Sequence, residues 1–164
     1  MRTAGIAILV SLATATSPAF CQDQRTGPLS PALQAHLQAE RFQIITSMRG
    51  LPLGVREKLQ QMWGTTTLDI AEPGGDFQRM QALVGTPLPL RRLVAAGCAA
   101  DNHCLVYYER GGASVSQRVT LFKWAPATTT FEWGATAPAG LKSIDAVRIA
   151  IASGKVTGGA SSPW

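Results

Sequence analysis

The sequence predicts an α+β fold: a twisted antiparallel β-sheet with helices packed on one side and one short disulfide loop. Three observations predict it. After a hydrophobic leader, apolar residues recur at spacings of three and four, the period of amphipathic helices. The middle of the chain carries short β-branched or alternating runs separated by Gly and Pro, as in an antiparallel meander. Cys98 and Cys104 then lie close together inside that meander. A length of 164 residues fits one domain with a processed N-terminus and is too short for two sizeable cores. With 46% hydrophobic and only 15% charged residues, the composition excludes a disordered chain.

Residues 1–21 read as a signal peptide. Arg2 gives a small basic start, Ala4 to Ala13 an apolar stretch, and Ala13-Thr14-Ala15, Ser17-Pro18-Ala19 and Ala19-Phe20-Cys21 offer small-residue cleavage patterns. The expected location is therefore periplasmic or secreted. No stretch approaches the roughly 20 apolar residues of a membrane-spanning helix. Removing the leader takes Arg2 with it, lowering the formal charge from +5 to about +4, and leaves Cys98 and Cys104 as an even pair. In an oxidising compartment the simplest pairing joins them.

Residues 22–29, polar around Gly27-Pro28, read as a flexible N-terminus, 30–154 as a single domain, and 155–164, rich in Gly and Ser, as a flexible tail. Ser30-Pro31 is a helix cap followed by a first-turn proline. Leu33, Leu37, Arg41, Ile44 and Met48 follow at helical spacing with Ile45 beside them, predicting a first helix that ends at Gly50. Leu51-Pro52-Leu53-Gly54 is a turn, and Val55, Leu59, Met62 and Trp63 predict a second helix stopped by Gly64. Thr65 to Ile70 is β-branched and suits a strand, stopped by Glu72-Pro73-Gly74-Gly75-Asp76.

Strands are expected at Phe77 to Val84 and Leu90 to Ala96, joined through Gly85-Thr86-Pro87, and at Leu105 to Glu109 before the turn Gly111-Gly112. Arg118 to Trp124, with Val119, Leu121 and Lys123 on one face, and Thr129 to Trp133 complete the meander. Ser143 caps a last helix through Asp145, Val147, Arg148 and Ile151 to Gly154, although alternating Val147, Ile149 and Ile151 also suit a strand.

The catalytic inventory is thin, and no enzyme is expected. His36 sits among Gln and Ala and reads as solvated; His103 has no Ser or Cys nucleophile on a recognisable elbow. Cys98, Asp101, His103 and Cys104 suggest a metal cluster, but the spacing is neither CxxC nor HxxxH, and export favours a disulfide. The expectation is no metal and no cofactor. Tyr107, Tyr108, Trp124, Phe131 and Trp133 read as core and flanks of the sheet, with no nucleic-acid partner. The basic residues are scattered, Arg91-Arg92 being the longest run, which describes a solvated surface. A cross-linked loop carrying Asp101, Asn102 and His103 suits a pre-organised binding element; it equally suits a plain staple across a hairpin.

The order of features resembles the inhibitor of vertebrate lysozyme (Ivy) family. The matching stretches are Leu51-Pro52-Leu53-Gly54-Val55, Val94-Ala95-Ala96-Gly97-Cys98, Leu105-Val106-Tyr107-Tyr108, Val119-Thr120-Leu121-Phe122, Phe131-Glu132-Trp133 and Leu141 to Gly154. The resemblance implies a periplasmic protein that inhibits lysozyme by inserting its disulfide loop into the active-site cleft. It places His103 against the catalytic carboxylates, with Asp101 and Asn102 as flanking polar contacts. The alternative is an envelope module of the same fold that binds a cell-wall glycan or an endogenous wall hydrolase; dimerisation stays open.

Overall fold

Ser30 opens α1 (Pro31–Ala39): its Oγ accepts the Leu33 N–H at 3.3 Å, and Pro31 sits in the first turn, where it has no helical hydrogen bond to lose. The helix ends at Ala39, well before the expected Gly50. Arg148 accounts for the stop. Its guanidinium donates to the carbonyls of Leu37, Gln38 and Glu40 at 2.8, 2.8 and 2.7 Å, supplying the partners that a helix C-terminus lacks. Phe42–Ile45 then departs as β1, pairing antiparallel with the next strand from Phe42↔Ala99 to Ile45↔Ala96. The helical spacing through Ile44 was overridden because this short aromatic and β-branched run completes the ladder beside it.

The computed structural model describes residues 27–80 and 87–158. After a single 3₁₀ turn at Met48–Gly50, α2 (Leu53–Trp63) buries Val55, Leu59 and Trp63 and ends at Gly64 with φ of 64°, as its spacing predicts. The helix starts within the expected turn, and Gly54 is what lets it approach the sheet: a Cβ there would lie 2.2 Å from Thr129 Oγ1. Then come β2 (Arg91–Ala99), β3 (His103–Arg110), β4 (Ser116–Ala125), β5 (Thr128–Thr136), α3 (Ile144–Ala152) and β6 (Thr157–Gly158). Ser143 caps α3 by accepting the Ala146 N–H at 3.1 Å, which resolves the helix-or-strand ambiguity. The strands form one antiparallel meander in sequence order, β1-β2-β3-β4-β5-β6.

The α+β class and the disulfide loop stand; the helices, however, occupy both faces of the sheet. Leu105, Tyr107, Val119, Leu121 and Trp133 point to one face and pack with Leu37 of α1 and Ile144, Val147 and Ile151 of α3. Cys104, Val106, Tyr108 and Phe122 point to the other and pack with Val55, Leu59 and Trp63 of α2. The cause is written in β3, where Cys104 to Tyr108 is an unbroken buried run; a strand that is apolar at every position needs cover on both sides. Register shifts at Val94 in β2 and Glu132 in β5 re-aim the side chains beyond them, so Phe131 faces α2 while Trp133 faces α1 and α3.

Other expectations give way. Thr65 to Ile70 is not a strand; only Ala71 makes a bridge, parallel to Arg92. Phe77 to Met80 is irregular and is held by Gln78 N–H to the Pro89 carbonyl at 2.8 Å and by a bridge from Met80 to Gly112. The rest of that expected strand and its turn at Gly85-Thr86 lie outside the described residues, as do the signal peptide and residues 22–26 and 159–164. Both expected flexible flanks contribute to the domain where they are described. The Gly27 carbonyl accepts the Trp133 Nε1–H at 3.0 Å, Val156 is buried, and Thr157 pairs with Thr136. No helix among the described residues is long and apolar enough to cross a membrane.

Candidate functional site

β2 runs into β3 through Ala100-Asp101-Asn102, so the expected loop is the tip of a hairpin. Cys98 and Cys104 are directly opposed across it, with Cα atoms 4.0 Å apart, and form the disulfide. Asn102 takes a φ of 71°, a left-handed conformation that Asn accepts more readily than most residues, and its N–H returns to the Ala99 carbonyl at 3.0 Å. The neighbouring strand clamps the turn as well: the Trp124 N–H donates to the Asn102 carbonyl at 2.8 Å and Lys123 Nζ to the Asp101 carbonyl at 2.7 Å.

Asp101 is the hub of this tip. Its Oδ1 accepts the His103 N–H at 3.3 Å, a local turn that an Asp side chain readily makes. Its Oδ2 meets His103 Nδ1 and also His36 Nε2, the latter at 2.5 Å. The two imidazoles stand edge to face with centroids 5.1 Å apart. For both rings to donate, His36 carries its proton on Nε2 and His103 on Nδ1. Burial pushes the Asp101 carboxyl up, but the hydrogen bonds from His36, from the His103 ring and from the His103 N–H outweigh it and hold the group well below the usual carboxylate range.

The sequence brought Asp101, Asn102, His103 and the cysteines to one place, and the structure keeps them there. The orientation of His103 differs from the expected one. As the first residue of β3 it shares a face with Leu105 and Tyr107, so its ring turns onto α1 and the residue is only 8% exposed. His36, read from sequence as solvated, is the partner that was missed. A signal existed: His36 lies three residues after Leu33 and next to Leu37, on the face of α1 that meets the core. Lys123 was placed on the right face, but its pairing with Asp101 across the sheet had no sequence signal.

Beside the tip, on the α2 side, a groove of about 570 Å³ is lined by Arg41, Phe42, Ile45, Pro52, Asn102 and Trp124, among others. Arg41 is exposed at its rim. The hairpin end therefore offers cationic and amide donors, Arg41, Lys123 and Asn102, around a rigid turn. No protein-family model, curated protein or solved structure matches the chain.

Proposed function

We propose that the protein is an exported, non-catalytic binding protein whose partner is a cell-wall glycosidase of the lysozyme type, engaged at the hairpin end of the sheet. The observation that carries this reading is the over-determined tip: a disulfide, two cross-strand hydrogen bonds and the Asp101 hub hold Ala100 to Asn102 in one conformation. A pre-organised element loses little entropy on docking. The disulfide supports an oxidising compartment. A lysozyme-type cleft holds two carboxyl groups, and it is donors such as Asn102, Lys123 and Arg41 that such a cleft takes in place of sugar. In this reading His103 does not enter the cleft. It holds Asp101, and the outward donors take the role that the family resemblance gave to the imidazole.

A mature charge near +4 favours an acidic target, because complementary fields raise the rate of encounter. The test is lysis of cell-wall substrate by an acidic wall muramidase and by a basic vertebrate lysozyme, each with and without the oxidised protein. The expected result is inhibition, stronger for the acidic enzyme, and weakened about tenfold by Arg41→Glu through a slower encounter. Failure to inhibit either enzyme at about 10 μM, a concentration at which a standard-sized protein interface is ordinarily occupied, removes the reading.

A further inference from the structure

We infer that His36, Asp101 and His103 form a binding site for one divalent transition-metal ion, with Zn²⁺ the best match. This goes beyond docking at the hairpin and does not depend on it.

The ligand atoms His36 Nε2, Asp101 Oδ2 and His103 Nδ1 all lie within 4.8 Å of one another. Two imidazole nitrogens with one carboxylate oxygen make a donor set for Zn²⁺, Cu²⁺ or Ni²⁺, whereas Ca²⁺ and Mg²⁺ take oxygen. The atoms arrive from three separate supports: a helix, a turn and the start of a strand. Their convergence is tertiary and owes nothing to a sequence motif. Zn²⁺ binds such ligands at about 2.0 to 2.2 Å in tetrahedral array, which sets the donor atoms about 3.3 Å apart. Both imidazole contacts to Oδ2, 2.5 Å from His36 and shorter from His103, have to open by about 1 Å, and the two ring nitrogens, within 4.8 Å of each other, have to close on the ion by side-chain adjustment.

The surroundings favour the ion over a mobile cluster. The backbone under Asp101 and His103 is fixed by the disulfide and by the Trp124 N–H on the Asn102 carbonyl. Asp101 Oδ1 accepts the His103 N–H, which orients the carboxylate and leaves Oδ2 for the metal, as outer contacts do in metal centres. The His103 side chain is 10% exposed, while Asp101 at 26% and His36 at 37% leave one side open to a water as fourth ligand.

One group opposes the ion. Lys123 Nζ lies 3.5 Å from Oδ2, so a bound cation has to turn the ammonium away. The lysine can go, since its side chain is 44% exposed, giving up its hydrogen bond to the Asp101 carbonyl for water. This competition gives the site a signature that a chance histidine pair lacks: removing the lysine's charge strengthens binding, whereas removing a ligand weakens it.

The experiment is calorimetric titration of the chelator-treated, oxidised protein with Zn²⁺, with the visible absorption of Co²⁺ as a second readout. The expected result is one ion per chain at about 1 μM affinity or tighter, with intense Co²⁺ bands of a four- or five-coordinate ion. His36→Gln, at a partly exposed position, weakens binding at least tenfold, roughly what disturbing a metal's supporting shell alone does. Lys123→Met strengthens it several-fold. Folding of each variant is checked by circular dichroism. Absence of one-to-one binding, or an affinity that His36→Gln leaves unchanged, overturns the inference.

Discussion

The Asp101 carboxylate accepts from His36 Nε2 at 2.5 Å, joining a helix to a hairpin tip across 65 residues of chain. The bond makes α1 part of the candidate binding end, although nothing in the local sequence of either partner announces the other. It also explains why the tip needs no long loop to be rigid. Replacing His36 by Gln removes a partly exposed hydrogen bond and should cost about 1 kcal/mol. The effect should be local: amide exchange at His103, whose N–H is held by the same Asp101, accelerates, while amides in the middle of β4 and β5 keep their protection.

Arg148 is the second long-range tie. Its side chain is 14% exposed and spans the carbonyls of Leu37, Gln38 and Glu40. Arg148→Ala should lower stability by about 2 to 3 kcal/mol, since several carbonyls at the end of α1 lose a charged donor together. Arg148→Lys should recover little of this, because one ammonium does not reproduce the planar fork. Urea unfolding measures both variants, with the midpoint falling and the slope unchanged.

Tyr108 adds to the alkaline sensitivity of the fold. Burial pushes its phenol up from the ordinary value, while the Trp63 hydrogen bond and the charges of Arg91, Arg118 and Arg110 pull it down without cancelling the effect. The native state thus keeps a proton that the unfolded chain gives up near pH 10. Its stabilising share is complete below about pH 10 and is lost as pH rises above it, by at most about 1.4 kcal/mol per pH unit. Thermal unfolding from pH 8 to 11 should show the midpoint falling more steeply in the wild type than in Tyr108→Phe. At neutral pH that variant should be about 1 kcal/mol less stable, since the Trp63 Nε1–H loses its acceptor at 3.4 Å.

The elements whose causes are local were legible in the sequence. Gly64 ends α2, Ser143 starts α3, and the alternation and turn residues of the meander set β2 to β5. The end of α1 was not legible because Arg148, more than a hundred residues on, supplies its carbonyl partners. β1 and β6 are too short to carry a period and exist because a neighbouring strand offers a ladder. The placement of helices on both faces, where one was expected, has its signal in the unbroken apolar run of β3, which one-sided packing does not satisfy. At the site, the cysteine pair and its turn were visible as a short spacing. The direction of His103 was not, because it depends on which face the first residue of β3 takes.

The most direct test of the account is a binding titration of the oxidised protein against a lysozyme-type wall glycosidase, with and without a chitooligosaccharide filling the enzyme's cleft. The account predicts one-to-one binding that the sugar abolishes and that Asn102→Ala, at the tip, weakens. Binding that is indifferent to the sugar, or no binding to an acidic or a basic enzyme, contradicts it.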